Sequence, residues 1–238
     1  FQLPVFELPQ TSRQAKGIPL VNLIQLSKNE IVTAMLVVTN EQFKGDFLFM
    51  ATKHGTVKKT PVAAFSNVRK SGLIAIKLRE NDSLSWVKQS SPGNHAMIVT
   101  REGKCIQFDE ADVRPMGRSS VGVRGIKLKT GDEVVEMDMV RDKDAELFVL
   151  MENGLGKRTC VEDYRFQTRG GSGVKTANLN AKTGKLVGAK VLEPGTLGDL
   201  IIVSKGGVMI RTSIDSIPSR GRATQGVYIM RVKNDDKV

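Results

Sequence analysis

Apolar residues come in short runs broken by polar, glycine-containing turns, and no stretch carries the 3.6-residue spacing of an amphipathic helix. One motif of run, turn and second run recurs as FLFMATKHGTVKKT (47–60), AMIVTREGKCIQF (96–108), LFVLMENGLGKRT (147–159) and LIIVSKGGVMIRT (200–212). Its turn glycines, Gly55, Gly103, Gly154 and Gly207, lie 48, 51 and 53 residues apart, which predicts a row of β-hairpins. Asn153-Gly154 suits a two-residue type I′ turn, where both central residues need positive φ. A second motif follows, a glycine leading into alternating apolar positions: GIPLVNL (Gly17), GLIAIKL (Gly72), GVRGIKL (Gly122), GVKTANL (Gly173) and GVYIMRV (Gly226). A further apolar run comes after a polar turn: EIVTAMLVV from Glu30, SLSWV from Ser83, EVVEMDMV from Glu133 and KLVGAKVL from Lys185. Units of about 50 residues and four strands predict an all-β, propeller-like array, because one four-stranded sheet cannot bury both faces alone. The expected units are 1–46, 47–94, 95–145, 146–198 and 199–238, forming one domain. The first and last are incomplete: the first lacks its opening strand and turn, and the last stops where its fourth strand should begin.

The chain has 238 residues, 40% hydrophobic and 26% charged, an ordinary balance for a folded domain. It holds no run of the ~20 apolar residues that a membrane helix needs. With neither a signal-peptide pattern nor an initial methionine, it reads as a fragment of a longer chain. Cys105 and Cys160 form no C-x-x-C pair, which argues against a cysteine-based zinc site and fits inert thiols in a reducing cytosol. The net charge of +11 favours a polyanionic partner, nucleic acid before membrane. The loop before each strand-leading glycine is basic. Arg13, Arg118, Arg169 and Arg222 stand four residues before it and Arg69 three, with Lys16, Lys70, Arg114, Arg165 and Arg220 in the same loops and Arg124 and Lys175 just beyond. In a radial array such loops share one rim, so these twelve residues are the candidate DNA-binding set. Guanidinium forks and glycine-exposed amides suit phosphate oxygens. Aromatic residues are only 5%, which favours a duplex backbone over stacked single-strand bases. For any one arginine, bonding a neighbouring blade's carbonyls is an equally good reading. Lys58, Lys59, Lys157, Arg158 and Arg211 add charge on the second hairpin strands, some of it expected at solvent. Gly154–Thr159 lacks the first glycine of a phosphate loop, and His54 and His95 fall in turns without triad or metal spacing. No catalytic set and no metal site is expected.

The segments LPQTSRQAKGIPLVNL, ATKHGTVKKT, VRPMGRSSVGVRGIKL, NGLGKRT with the following DYRFQTRGGSG, and GRATQGVYIMR carry a resemblance to the C-terminal domain of the A subunit of bacterial DNA gyrase, a type II topoisomerase. The resemblance runs repeat by repeat along the whole chain. It implies a β-pinwheel, a propeller-like ring of about six blades that exchange strands with their neighbours. Its rim would bind and bend duplex DNA without chemistry of its own. The family's Q-R-R-G-G-K-G box would precede Phe1, and Gln167-Thr168-Arg169-Gly170-Gly171-Ser172-Gly173 resembles a degenerate second copy, with Thr168 and Ser172 in place of basic residues. Implied partners are double-stranded DNA and the other parts of gyrase: the rest of the A subunit, together with the B subunit, in an A2B2 holoenzyme of the bacterial cytoplasm. No cofactor is expected in this chain, since ATP and Mg would be bound elsewhere in the holoenzyme. The corresponding domain of topoisomerase IV and a propeller-type protein scaffold are the alternative readings.

Overall fold

The computed structural model describes residues 1–12, 14–28, 30–39, 46–233 and 236–238. Among them the regular structure is strand and short 3-10 turn, and no helix is long and apolar enough to cross a membrane. In chain order the strands are β1 (Phe47–Thr52), β2 (Thr56–Pro61), β3 (Leu84–Ser90), β4 (His95–Thr100), β5 (Lys104–Asp109), β6 (Val123–Arg124) and β7 (Val134–Val140). They continue as β8 (Glu146–Met151), β9 (Leu155–Cys160), β10 (Val174–Lys175), β11 (Leu186–Leu192), β12 (Asp199–Val203), β13 (Met209–Ser213) and β14 (Val227–Tyr228). Three antiparallel four-stranded sheets result, ordered β3-β1-β2-β6, β10-β5-β4-β7 and β11-β8-β9-β14, together with the two-stranded β12-β13. Each complete blade is a hairpin that takes its third strand from its own unit and its fourth from the following unit, as a strand-exchanged pinwheel requires.

Period-two alternation explains the stacking, because the first hairpin strand of each complete blade is apolar on both faces. On β4, Met97 and Val99 join the cluster shared with Leu147, Val149 and Met151 of the next blade. Ala96 and Ile98 face the other way, into the cluster with Phe49, Ala51 and Val57. On β8, Phe148 and Leu150 pack with Ile202, Ile214 and Met230 of the last unit. The core is therefore a series of interfaces between blades.

The hairpin turns differ from the expected type I′ geometry. Three residues, Glu152 to Gly154, separate β8 from β9, and Gly154 bonds back to the Met151 carbonyl at 2.9 Å. Only the glycine has positive φ, +80°, so Asn153 needs no left-handed conformation. This is the pattern of a turn closed by a glycine bulge. The strand-leading glycines have another reason. A Cβ on Gly173 would stand 2.6 Å from the Cys105 carbonyl oxygen, and one on Gly122 2.5 Å from that of Val57. The exchanged strand thus enters tightly against the backbone it completes.

The strands expected in GIPLVNL, EIVTAMLVV and GLIAIKL do not form, and the described part of 1–46 holds only the 3-10 turns Val5–Glu7 and Leu20–Asn22. The pairing rule gives the reason. Residues 30–38 and 72–78 need a hairpin one unit ahead of Phe47, and the described residues contain none. Ile31, Met35, Val37 and Ile74 are accordingly exposed.

The third strands β3, β7 and β11 lie next to one another along one edge of the array, opposite the exchanged strands. There Asp138 sits between Lys190 at 2.5 Å and Lys88 at 3.4 Å, each contributed by a different blade. The hairpin turns are tied by a second chain: Lys53 to Glu133 at 2.8 Å, Glu133 to Arg101 at 3.1 Å, and Arg101 to Glu152 at 2.8 Å.

Candidate nucleic-acid interface

The basic loops are fixed by the same bonds from unit to unit. The amide five residues past each strand-leading glycine donates to the carbonyl two residues before the next such glycine. These bonds are Lys77 to Ser120 at 3.1 Å, Lys127 to Gly171 at 2.8 Å, and Asn178 to Thr224 at 3.0 Å. Each loop therefore rests on the glycine-led segment of the unit before it, and the loops follow one another along the exchanged-strand edge. Ahead of each loop, the following unit also lies along the preceding hairpin, with Pro115 bridged to Lys59, Phe166 to Gln107, and Ser219 to Arg158.

This geometry brings Arg114, Arg118, Arg124, Arg165, Arg169, Lys175, Arg220 and Arg222 onto one edge. Arg114, Arg124, Arg165, Lys175 and Arg220 are exposed, and Arg118, Arg169 and Arg222 half-buried. Two arginines also hold the blades together. Arg169 donates through Nε to the Asp112 carbonyl (2.9 Å) and through Nη1 to that of Arg124 (3.3 Å). Arg222 donates through Nη1 to the Lys175 carbonyl at 3.1 Å, with its guanidinium 5.8 Å from the Tyr164 ring centre. A guanidinium has five N–H donors, so both keep others for solvent or a ligand. In the box-like segment, the Gln167 backbone N–H donates to the Gln107 backbone carbonyl at 3.0 Å, while Thr168 and Ser172 are exposed. Gly170 and Gly173 take φ of +83° and +68°. Arg69 and Lys70 are exposed beside Phe1–Pro4 rather than against a completed blade. Lys16 is exposed in the first unit, whose described residues form no strand, and Arg13 lies outside the described residues.

The electrostatics of the edge differ from those of the complete blades' hairpin turns and third strands, where Lys53, Arg101, Lys185, Lys88 and Lys190 each have a carboxylate within 4 Å. Among the described residues, no carboxylate pairs with Arg114, Arg118, Arg124, Arg165, Arg169, Lys175, Arg220 or Arg222. Lys127 and Arg231, exposed at the fifth position past their glycines, extend the same strip. Sequence reading missed them, although that column of the repeat would have found them.

The second hairpin strands correct another expectation. Lys58, Lys59 and Lys157 are buried, not solvated. Lys59 pairs with Glu110, and half-buried Arg158 with Glu146 at 3.0 Å. Arg211 is exposed but paired with Asp199 at 2.5 Å. Burial pushes the Lys58 and Lys157 ammonium groups down to about 8. It pushes the Cys105 thiol up, out of reach of thiolate chemistry at neutral pH.

A family model described as "DNA gyrase C-terminal domain, beta-propeller" matches residues 1–39, 46–91, 94–141, 146–193 and 198–238. The A subunit of DNA gyrase from Staphylococcus aureus (strain MRSA252) is 41% identical over 239 residues, covering 100% of this chain and 27% of that protein. The chain thus spans about a quarter of the length of the curated relatives it matches. A solved DNA gyrase A C-terminal domain superposes with a TM-score of 0.79 at 25% identity, covering 94% of this chain and 73% of that one. For a topoisomerase IV C-terminal domain the values are 0.86 and 24%, covering 96% and 70%, a likeness of fold.

Proposed function

Because the chain belongs to the DNA gyrase C-terminal domain family, we propose that it binds duplex DNA along its exchanged-strand edge and bends the duplex around the blades. The observation that carries this reading is the strip of cations without carboxylate partners, set at equivalent positions of successive blades. Phosphates laid on such a strip displace condensed counterions, and the released ions drive binding. Bending a 20–30 bp site by 40–90° costs on the order of 1–6 kcal/mol, which several phosphate contacts can offset. Base edges are not needed for this, so affinity should depend little on sequence.

In the longer protein, the wrapped duplex would be presented to the DNA-cleaving parts of the same polypeptide, with the B subunit completing an A2B2 assembly in the bacterial cytoplasm. ATP and Mg bound outside this segment would drive strand passage and negative supercoiling. This chain would contribute binding and bending only. The test is duplex affinity across a salt series. Changing Arg118, Arg124, Arg165 and Arg220 together to Ala removes four cations that no carboxylate holds. The slope of log K against log[salt] should flatten by about 3–4, at roughly 0.9 per lost contact, with the thermal transition unmoved. An unchanged slope in the folded variant would refute the assignment of the edge.

A further inference from the structure

We propose that the buried lysines Lys58 and Lys157 are positioning residues for DNA, each turning the carbonyl of its loop arginine, Arg118 or Arg222, inward so that the face left to the phosphates is made of donors. The proposal rests on the DNA-binding reading and goes beyond it, since neither side chain reaches the surface. Both are 0% exposed. Lys157 Nζ donates to the carbonyls of Gly221 (2.7 Å) and Arg222 (2.5 Å) and to Thr224 Oγ1 (3.2 Å). Lys58, at the same place one blade-pair away, donates to the carbonyls of Ala75 (2.6 Å) and Arg118. Arg118 and Arg222 are the loop arginines four residues before their glycines. Each lysine thus grips the backbone of the residue whose guanidinium lies on the edge.

Among the described residues no carboxylate lies within 4 Å of either ammonium, so the groups bonded to each buried charge are carbonyls, joined at Lys157 by the Thr224 hydroxyl. Burying a cation this way is costly, and a hydrophobic side chain packs there without the cost. The middle blade shows that directly. Ile106 occupies the position on β5, is fully buried, and leaves its loop without the clamp. The fold therefore does not need the lysine, and the loop is what the lysine acts on. A peptide carbonyl aimed at a phosphate repels it, whereas one held inward presents its neighbours' N–H groups and side chains outward. A full positive charge under the loop adds to the same field and is poorly screened by salt.

The experiment compares the whole chain with its Lys157→Met variant for binding to a labelled duplex by anisotropy at several salt concentrations, alone and combined with Arg222→Ala. Affinity should fall roughly tenfold in Lys157→Met while the salt slope changes by less than one, because Nζ touches no phosphate. The Arg222→Ala effect should shrink in the Lys157→Met background. Unchanged affinity in a folded Lys157→Met variant, or strictly additive effects, would overturn the proposal. If Lys157→Met does not fold, Thr224→Val loosens the same clamp from an exposed position; a loss of two- to threefold supports the proposal and no loss overturns it. A wild-type chain that fails to bind duplex at all would instead sink the DNA-binding reading itself.

Discussion

At the scale of single residues, the repeat is written most plainly in glycine. Gly122, Gly173 and Gly226 recur because the entering strand passes so close to the preceding blade that a Cβ would meet backbone at 2.4–2.6 Å, at φ between +68° and +98°. Neither condition can be relieved by moving a flexible side chain. Gly173→Ala should destabilise the fold by roughly 2–3 kcal/mol, measured by denaturant midpoint. Gly93→Ala meets nothing within 4 Å and has only its φ of +87° to contend with, so it should cost about 1 kcal/mol. Equal losses at the two sites would mean that the close approach contributes nothing. The glycine column was legible in the sequence because its spacing alone reveals it. The burial of Lys58 and Lys157 was not, since a lysine at an alternate strand position reads as solvent-facing. Only three-dimensional pairing shows that another unit's loop covers it. The arginines divide in the same way. Their common position was legible, but not that Arg169 and Arg222 spend part of their donors on neighbouring carbonyls.

At the scale of elements, the third strands carry a titrating position. Burial pushes the Glu136 carboxyl on β7 up to about 7, despite Lys88 at 3.8 Å, and the Asp138 charge adds to the rise. A carboxyl whose native pKa lies above its unfolded value near 4.5 disfavours folding once it must ionise. The penalty is absent below pH 4.5, grows between there and about pH 7, and is fully present above. Glu136→Gln should therefore raise stability at pH 8 by roughly 1–3 kcal/mol, and the gain should vanish toward pH 4.5. Melting curves at pH 5 and pH 8 would decide it, and a gain independent of pH would rule out ionisation as the cause. Strand existence was readable here from alternation, and β3, β7 and β11 form where SLSWV, EVVEMDMV and KLVGAKVL predict. The same alternation misleads at EIVTAMLVV and GLIAIKL. A strand is a pairing, and the pattern of one segment does not say whether its partner is present.

At the scale of the molecule, each blade is finished by the unit after it, so stability is shared between neighbours as in other repeat architectures. Hydrogen exchange should follow that arrangement. The complete blades, whose hairpins are flanked on both edges, should be the most protected. Among the described residues the β12-β13 hairpin has neither flanking strand, and it leaves Ile201 and Met209 exposed, so its amides should exchange sooner. Residues 30–38, without ladder bonds, should exchange first. Duplex DNA supplies the decisive comparison. If it lies along the exchanged-strand edge, added protection should appear in loops 118–120, 169–171 and 222–224, whose inter-unit bonds join them into one strip. The third strands on the far edge, where Lys88 and Lys190 are already paired with Asp138, should be unaffected. Protection gained at β3, β7 and β11 instead would put the duplex on the wrong side of the array. The unpaired cations of the loops would then be a solvated surface, and bending would need another physical basis.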